Sequence, residues 1–236
     1  MMLFFIILGL LPSFAWLFFF LKEDAHPEPK KMIALVFIAG LFSTFLALGL
    51  QFVLRGVLNS AQIGNYTFLA FLGFGAIEET LKFLAAYLVI RKKTCFDEPI
   101  DAMIYMITAA LGFAMLENIA VLSNIKVISE AFRVVTLRFV GATLLHALSS
   151  AIVGYYWARG IILSRRLKPE KEPPCHLDGA PPKIMVLKGV ILATLLHATF
   201  NYFILISKEI LIYPTIFLIV AALFVFWDFE KLKSNR

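Results

Sequence analysis

Seven stretches of this chain run for about 20 residues with almost nothing but apolar side chains, and such segments have few ways to fold. They cover residues 2–21, 32–54, 66–90, 102–125, 134–158, 189–207 and 210–227. At 1.5 Å of rise per residue, about 20 residues cross a hydrocarbon core of ~30 Å. Lipid offers the backbone no hydrogen bonds, so only helices and closed barrels span it. Barrel strands alternate apolar and polar residues over about ten positions, and these runs do not alternate. The expected fold class is therefore all-α, a polytopic transmembrane bundle of about seven spans. Composition bears on one point: at 61% apolar and 16% charged, with 24 phenylalanines, the chain has more apolar surface than a water-soluble core of 236 residues hides. A secreted disulfide scaffold, a disordered chain and a nucleic-acid binder are excluded as first readings.

Lysines and arginines set the orientation. Alternate connections, counted with the C-terminal tail, hold sixteen of them; the others hold only Arg55, Lys126, Arg133 and Lys208. The positive-inside rule then puts the N-terminus outside and the C-terminus in the cytoplasm of a multi-pass protein of the cell membrane. The net charge of +6 is this asymmetry and calls for no nucleic-acid partner. The first stretch carries Pro12 and Trp16 and runs into Lys22-Glu23-Asp24 without a small-residue cleavage site. It is expected as a retained helix, not a signal peptide. Cys95 and Cys175 fall in cytoplasmic connections without metal-type spacing and are expected as reduced thiols. One domain, 1–236, is expected, with residues 162–186 as a flexible cytoplasmic loop because five of the ten prolines lie in 169–182. Pro214 predicts a tilt or kink in the last span.

Against this apolar background the ionisable residues stand out, since Asp, Lys or Arg at a helix centre costs ~2.5–3.5 kcal/mol on insertion scales. Glu78, Glu79 and Lys82 lie in the third span, Glu117 and Asn118 in the fourth, His146 and Ser150 in the fifth, and His197 and Asn201 in the sixth. Glu78, His146 and His197 are each close to mid-depth, with Glu117 nearer the outer side. Pairs at i,i+4 (Glu78 and Lys82, His146 and Ser150, His197 and Asn201) share a helix face. One polar centre inside the bundle follows. Lys82 offsets one of two adjacent carboxylates, an arrangement that suits acid/base chemistry. A helix-to-helix hydrogen-bond network is the structural alternative. Arg138, a turn inside the outer end of its span, is expected to snorkel to the headgroups, and Asp101 with residues 96–99 to cap a helix N-terminus. Residues 142–147 recur as 193–198, each copy carrying a mid-span histidine.

Four segments in order, Glu78-Glu79-Thr80-Leu81-Lys82, Gly112-Phe113-Ala114-Met115-Leu116-Glu117-Asn118, His146-Ala147-Leu148-Ser149-Ser150 and His197-Ala198-Thr199-Phe200-Asn201, resemble the motifs of the PrsW intramembrane proteases, a family related to the type II CAAX prenyl proteases. The residues from Leu21 to Pro29, and Phe96-Asp97-Glu98 with Asp101 and Tyr105, are similar to PrsW sequences too. Two departures from the CAAX pattern favour the PrsW branch: Lys82 where arginine follows the glutamate pair, and a second motif ending in Glu117 instead of histidine.

The resemblance implies hydrolysis of a peptide bond of a single-span membrane protein, in PrsW an anti-sigma factor, with the lipid bilayer as the other partner. Amide hydrolysis needs a base for water, an oxyanion donor and a proton for the leaving amine. Glu78 is expected as the base, His146 or Glu117 to position the water, His197 and Asn201 to bind the oxyanion, and Glu79 to pair with Lys82; Asn118 and Ser150 support the site. No cofactor is required on this reading. A zinc version remains open, with Glu78, Glu117, His146 and His197 as ligands. The alternative from another class is a proton- or metal-coupled transporter with a midplane Glu/His site; a third is a noncatalytic scaffold that holds a partner helix.

Overall fold

A computed structural model of the chain describes residues 2–167, 183–207 and 212–233. Its elements are α1 (Met2–Phe20), a 3-10 turn (Leu21–Glu23), α2 (Lys30–Ser60), α3 (Phe68–Ile90), α4 (Asp101–Leu122), α5 (Ile128–Arg138), a π-helical turn (Phe139–Thr143), α6 (Leu144–Leu167), α7 (Lys183–Ser207) and α8 (Ile212–Lys233). Each apolar stretch becomes a helix, the fifth as the continuous run of α5, π-turn and α6. Six of these are long and apolar enough to cross a membrane. The other, α3, has 23 residues and carries Glu78, Glu79 and Lys82. The protein is a multi-pass integral membrane protein of the cell membrane, folded as a helical bundle.

Two expectations change. Residues 162–167 and 183–186, expected in the loop, are helical, because α6 runs to Leu167 and α7 starts at Lys183; residues 168–182, with Cys175, lie outside the described residues. Arg165 and Arg166 in the last turn of α6 complement its C-terminal dipole, which lets the helix continue beyond the lipid. Pro214 stands in the first turn of α8. The N–H groups there have no intrahelical partner, so the proline starts the helix and does not kink it.

The bundle is built around α4, which packs against α1, α2, α3 and α6. Every residue from 101 to 115 is buried, as expected of a helix that is apolar all round. Its small residues let neighbours come close. A Cβ added to Gly112 would stand 2.0 Å from the Phe37 carbonyl oxygen, and one added to Gly40 would stand 2.0 Å from that of Ala109. Side-chain-free contact at both points brings α2 and α4 together, in the manner of small residues in membrane helices. Outer faces keep their large apolar side chains exposed, Phe52, Leu88 and Leu223 among them, where lipid surrounds them.

At one end of the bundle, the α1–α2 connection and the start of α4 clasp each other. Asp24, Glu28 and Asp101 are buried, with carboxylate oxygens within 4.8 Å of one another. The Tyr105 hydroxyl donates to Glu28 and lies 3.5 Å from Cys95 Sγ. His26 donates its backbone N–H to Asp24 Oδ1 at 2.9 Å. Asp101 does not cap its own helix as expected. It is already helical, its Cβ tilts toward the N-terminus, and its Oδ2 accepts the backbone N–H groups of Asp97 (3.0 Å) and Glu98 (2.8 Å). Burial raises the pKa of Glu28 above its ordinary value, and the charges of Asp24 and Asp97 add to the rise.

A raised folded-state pKa means the native protein binds this proton more tightly than the unfolded chain. The stabilising contribution is full below the ordinary glutamate range and is lost as pH rises through the folded value. Glu28→Gln keeps an acceptor for Tyr105 and removes the charge. The variant is expected to be more stable than the wild type at neutral pH and less sensitive to pH in thermal unfolding; an unchanged pH profile would contradict this.

Candidate active site

Glu79 and Lys82 are fully enclosed charges, with no exposed surface. Glu79 Oε1 accepts from Lys82 Nζ at 2.9 Å, Ser149 Oγ at 2.9 Å and His197 Nδ1 at 3.0 Å. Its Oε2 accepts from Ser150 Oγ at 2.9 Å. Four donors from α3, α6 and α7 thus occupy one carboxylate, about as many as it can accept. Glu79 anchors three helices, and both of its oxygens are engaged. Ser149, in a quoted motif but given no role by the sequence, is one of the four.

Glu78 is the next residue and points elsewhere, about 100° round α3. Its Oε1 accepts from Gln51 Nε2 of α2 at 2.8 Å. Its Oε2 is buried and has no hydrogen-bond partner among the described residues. Around that oxygen stand His197 Nε2 at 3.6 Å, Lys82 Nζ at 3.6 Å and His146 Nδ1 at 3.8 Å. These gaps are too long for direct hydrogen bonds and suit groups bridged by one water. Gln51 escaped the sequence reading. It is a neutral residue near the end of the second span, and only its polarity within an apolar run marks it.

The partners fix the imidazole protons. A carboxylate only accepts, so His197 carries a proton on Nδ1 toward Glu79, and its Nε2 faces Glu78 Oε2 at 3.6 Å. An ammonium only donates, so His146 Nδ1, 2.7 Å from Lys82 Nζ, is the acceptor. Its Nε2–H then goes to Glu117 Oε2 at 2.9 Å. Glu117 is held by His146 and does not reach Glu78 as a direct hydrogen-bond partner; its side chain is 29% exposed, whereas that of His146 is 3% exposed.

Arg138 does not snorkel. Its Nη2 lies 3.2 Å from Glu117 Oε2 and its Nε donates to Asn118 Oδ1 at 2.5 Å. The π-turn supplies the reason. Eight residues separate Arg138 from His146, and at about 100° per residue an unbroken α-helix would aim them about 80° apart. The π-turn absorbs one extra residue, which brings both toward the Glu117 face. Asn118 holds this irregularity through Thr143 Oγ1 at 3.1 Å, and Trp16 Nε1 donates to the Phe139 carbonyl at 2.8 Å. Asn201, half-buried on α7, makes no side-chain hydrogen bond among the described residues and is not tied into the network.

Comparison with known proteins can now be set beside this geometry. The model of a family described as PrsW family intramembrane metalloprotease matches residues 28–227. The chain belongs to the PrsW family. The Protease PrsW of Bacillus subtilis is 27% identical over 230 residues, 97% of this chain and 94% of that one. The Protease PrsW of Geobacillus kaustophilus is 30% identical over 154 residues, 64% of each, so the match spans just under two thirds of that relative. The Clostridioides difficile protein of the same name is 22% identical over 98% of this chain and 90% of its own length. No solved structure matches the chain significantly.

The family description names a metal, and the site can be tested for one. Glu78, His146 and His197 present ligand atoms within 4.8 Å of one another, a donor set of the kind that holds catalytic zinc. His146 Nδ1, 3.8 Å from Glu78 Oε2, is already engaged by the Lys82 ammonium at 2.7 Å, which is also 3.6 Å from Glu78 Oε2. A dication bound to the same nitrogen would meet that fixed positive charge. Donor types fit a metal; with Lys82 where it stands, the arrangement does not.

Lys82 is therefore the cation on which Glu79 depends. Lys82→Met is expected to cost about 3–5 kcal/mol of unfolding free energy by stranding a buried carboxylate. Lys82→Met combined with Glu79→Gln is expected to lose less, because no charge is stranded. Denaturant unfolding in mixed micelles measures both, and equal losses would contradict the assignment.

Proposed function

We propose that this PrsW-family protein is an intramembrane endopeptidase that hydrolyses a peptide bond of a single-span membrane protein, with water activated by Glu78 and without a metal. The observation that carries the reading is the unequal fate of two neighbouring glutamates. Both oxygens of Glu79 are held, by four donors in all, while the buried Oε2 of Glu78 has no partner among the described residues and faces two imidazole nitrogens. Family membership favours hydrolysis over the carrier reading.

A water between Glu78 Oε2 and His197 Nε2 donates one O–H to each, which directs an oxygen lone pair at the scissile carbonyl. Glu78 takes the first proton as oxygen attacks carbon, and passes it to the leaving nitrogen as the C–N bond breaks. The carboxylate is thereby regenerated. Gln51 ties down Oε1 and so leaves Oε2 as the reacting oxygen, a positioning role. Asn201, uncommitted and one turn from His197, supplies the amide donor for the oxyanion. Glu117, His146 and Lys82 hold the charge pattern around Glu78. With the N-terminus outside, the exposed edge of Glu117 lies toward the outer side, which suits a first cleavage of an anti-sigma factor there.

The test uses the full chain reconstituted with a membrane-anchored single-span reporter. Glu78→Gln is expected to lose at least about 10²-fold in turnover while still binding the reporter. Gln51→Leu is expected to lower kcat with little change in KM. Full activity of Glu78→Gln would sink the assignment of the base. Stoichiometric zinc in the purified protein, lost together with activity on chelation, would overturn the metal-free mechanism.

A further inference from the structure

Away from the glutamates, α6, α7 and α8 enclose a second polar feature, a cavity of about 390 Å³. Tyr155, Arg159, Ile162 and Arg166 line it from α6, Met185 from α7 and Lys231 from α8. The four α6 residues recur at intervals of four, three and four, so they form one stripe of the helix. The stripe turns from aromatic to basic as α6 reaches the end of the bundle that the lysine and arginine count assigns to the cytoplasm.

Basic side chains gather there. Arg159 Cζ lies 5.8 Å from the centre of the Tyr155 ring and Lys231 Nζ 5.9 Å from it. Lys231 also rests on the Trp227 ring at 3.6 Å and lies 3.7 Å from Asp228 Oδ1. Arg159 and Arg166 have no carboxylate within ion-pair distance among the described residues. Among the described residues, Arg159 and Arg166 thus share the cavity wall with Lys231 and have no ion-pair partner of their own. The positive-inside rule accounts for basic residues at this end of the bundle, but not for three of them converging on one cavity with apolar side chains in its wall. Trp227 is 58% exposed and sits beside Lys231, the pairing of aromatic and basic side chains found at headgroup level.

We propose that this cavity binds the phosphodiester headgroup of an anionic lipid. Arginines offer planar, paired donors to phosphate oxygens, and Ile162 and Met185 give the glycerol and upper acyl chain an apolar wall. Basic pockets between membrane helices take up anionic headgroups in this way. The site is separate from the glutamate cluster and does not depend on the proteolytic reading.

The experiment uses the purified full chain in a neutral detergent, titrated with phosphatidylglycerol, phosphatidylcholine or inorganic phosphate. Thermal unfolding and retention of lipid in native mass spectrometry are the readouts. Phosphatidylglycerol is expected to raise the unfolding temperature and stay bound. Arg159→Gln with Arg166→Gln is expected to weaken that response about tenfold or more, and Arg159→Lys with Arg166→Lys to keep much of it. An equal response to phosphatidylcholine would overturn the proposal, as would an equal response to inorganic phosphate, which would mark a site for a free anion. A wild-type response in the double glutamine variant would overturn it as well. The comparison of lipids on the wild type decides the matter even if that variant does not fold.

Discussion

The arrangement of the site depends on one buried carboxylate. In a bundle surrounded by lipid, a charge with no water must be met by protein donors or it cannot stay charged. Glu79 is met by Lys82 from its own helix, Ser149 and Ser150 from α6, and His197 from α7. The need to satisfy its oxygens positions three helices relative to one another. It also fixes a proton on His197 Nδ1 and the place of Lys82, and through Lys82 the tautomer of His146. The network that holds the helices and the proposed catalytic site share one set of contacts, seen from Glu79 and from Glu78.

Glu78 inherits the geometry without having both oxygens held. One residue further back on α3, it reaches Gln51 on α2 with one oxygen and leaves the other among His197, Lys82 and His146 at 3.6–3.8 Å. Neighbouring residues of a helix point about 100° apart, so one glutamate of the pair anchors the bundle while the other keeps an oxygen with no hydrogen-bond partner among the described residues. Two carboxylates of identical chemistry are separated in role by their surroundings, a general route to distinct acid/base duties.

Much of this was legible in the sequence, for a physical reason. Twenty-residue apolar runs have one common solution in lipid, so the helices fell near their expected bounds, and charges inside such runs had to converge. The gathering of α3, α4, α6 and α7 side chains followed from depth and i,i+4 spacing, and so did Lys82 as the cation beside the glutamate pair; that Lys82 holds Glu79 more closely, at i,i+3, is a matter of packing. What escaped was set by irregular backbone or by neutral groups. The π-turn at 139–143 leaves no compositional mark, and without it Arg138 reads as a snorkelling residue and not as the partner of Glu117. Gln51 and Ser149 have no charge to announce them. The extent of α6 and α7 was hidden because helices continue past the lipid, where hydropathy no longer reports on them. Asn201 was chosen for its i,i+4 spacing to His197, and the contacts of the network do not include it.

The central claim is that Glu78 drives peptide-bond hydrolysis in the membrane. New protein termini can be mapped in membranes of cells producing the wild type or Glu78→Gln at matched levels, with no assumption about the substrate. The expected result is a set of termini in single-span membrane proteins that appears with the wild type and is missing with the variant. Identical termini in the two membranes, under envelope stress as well as without it, would contradict the account.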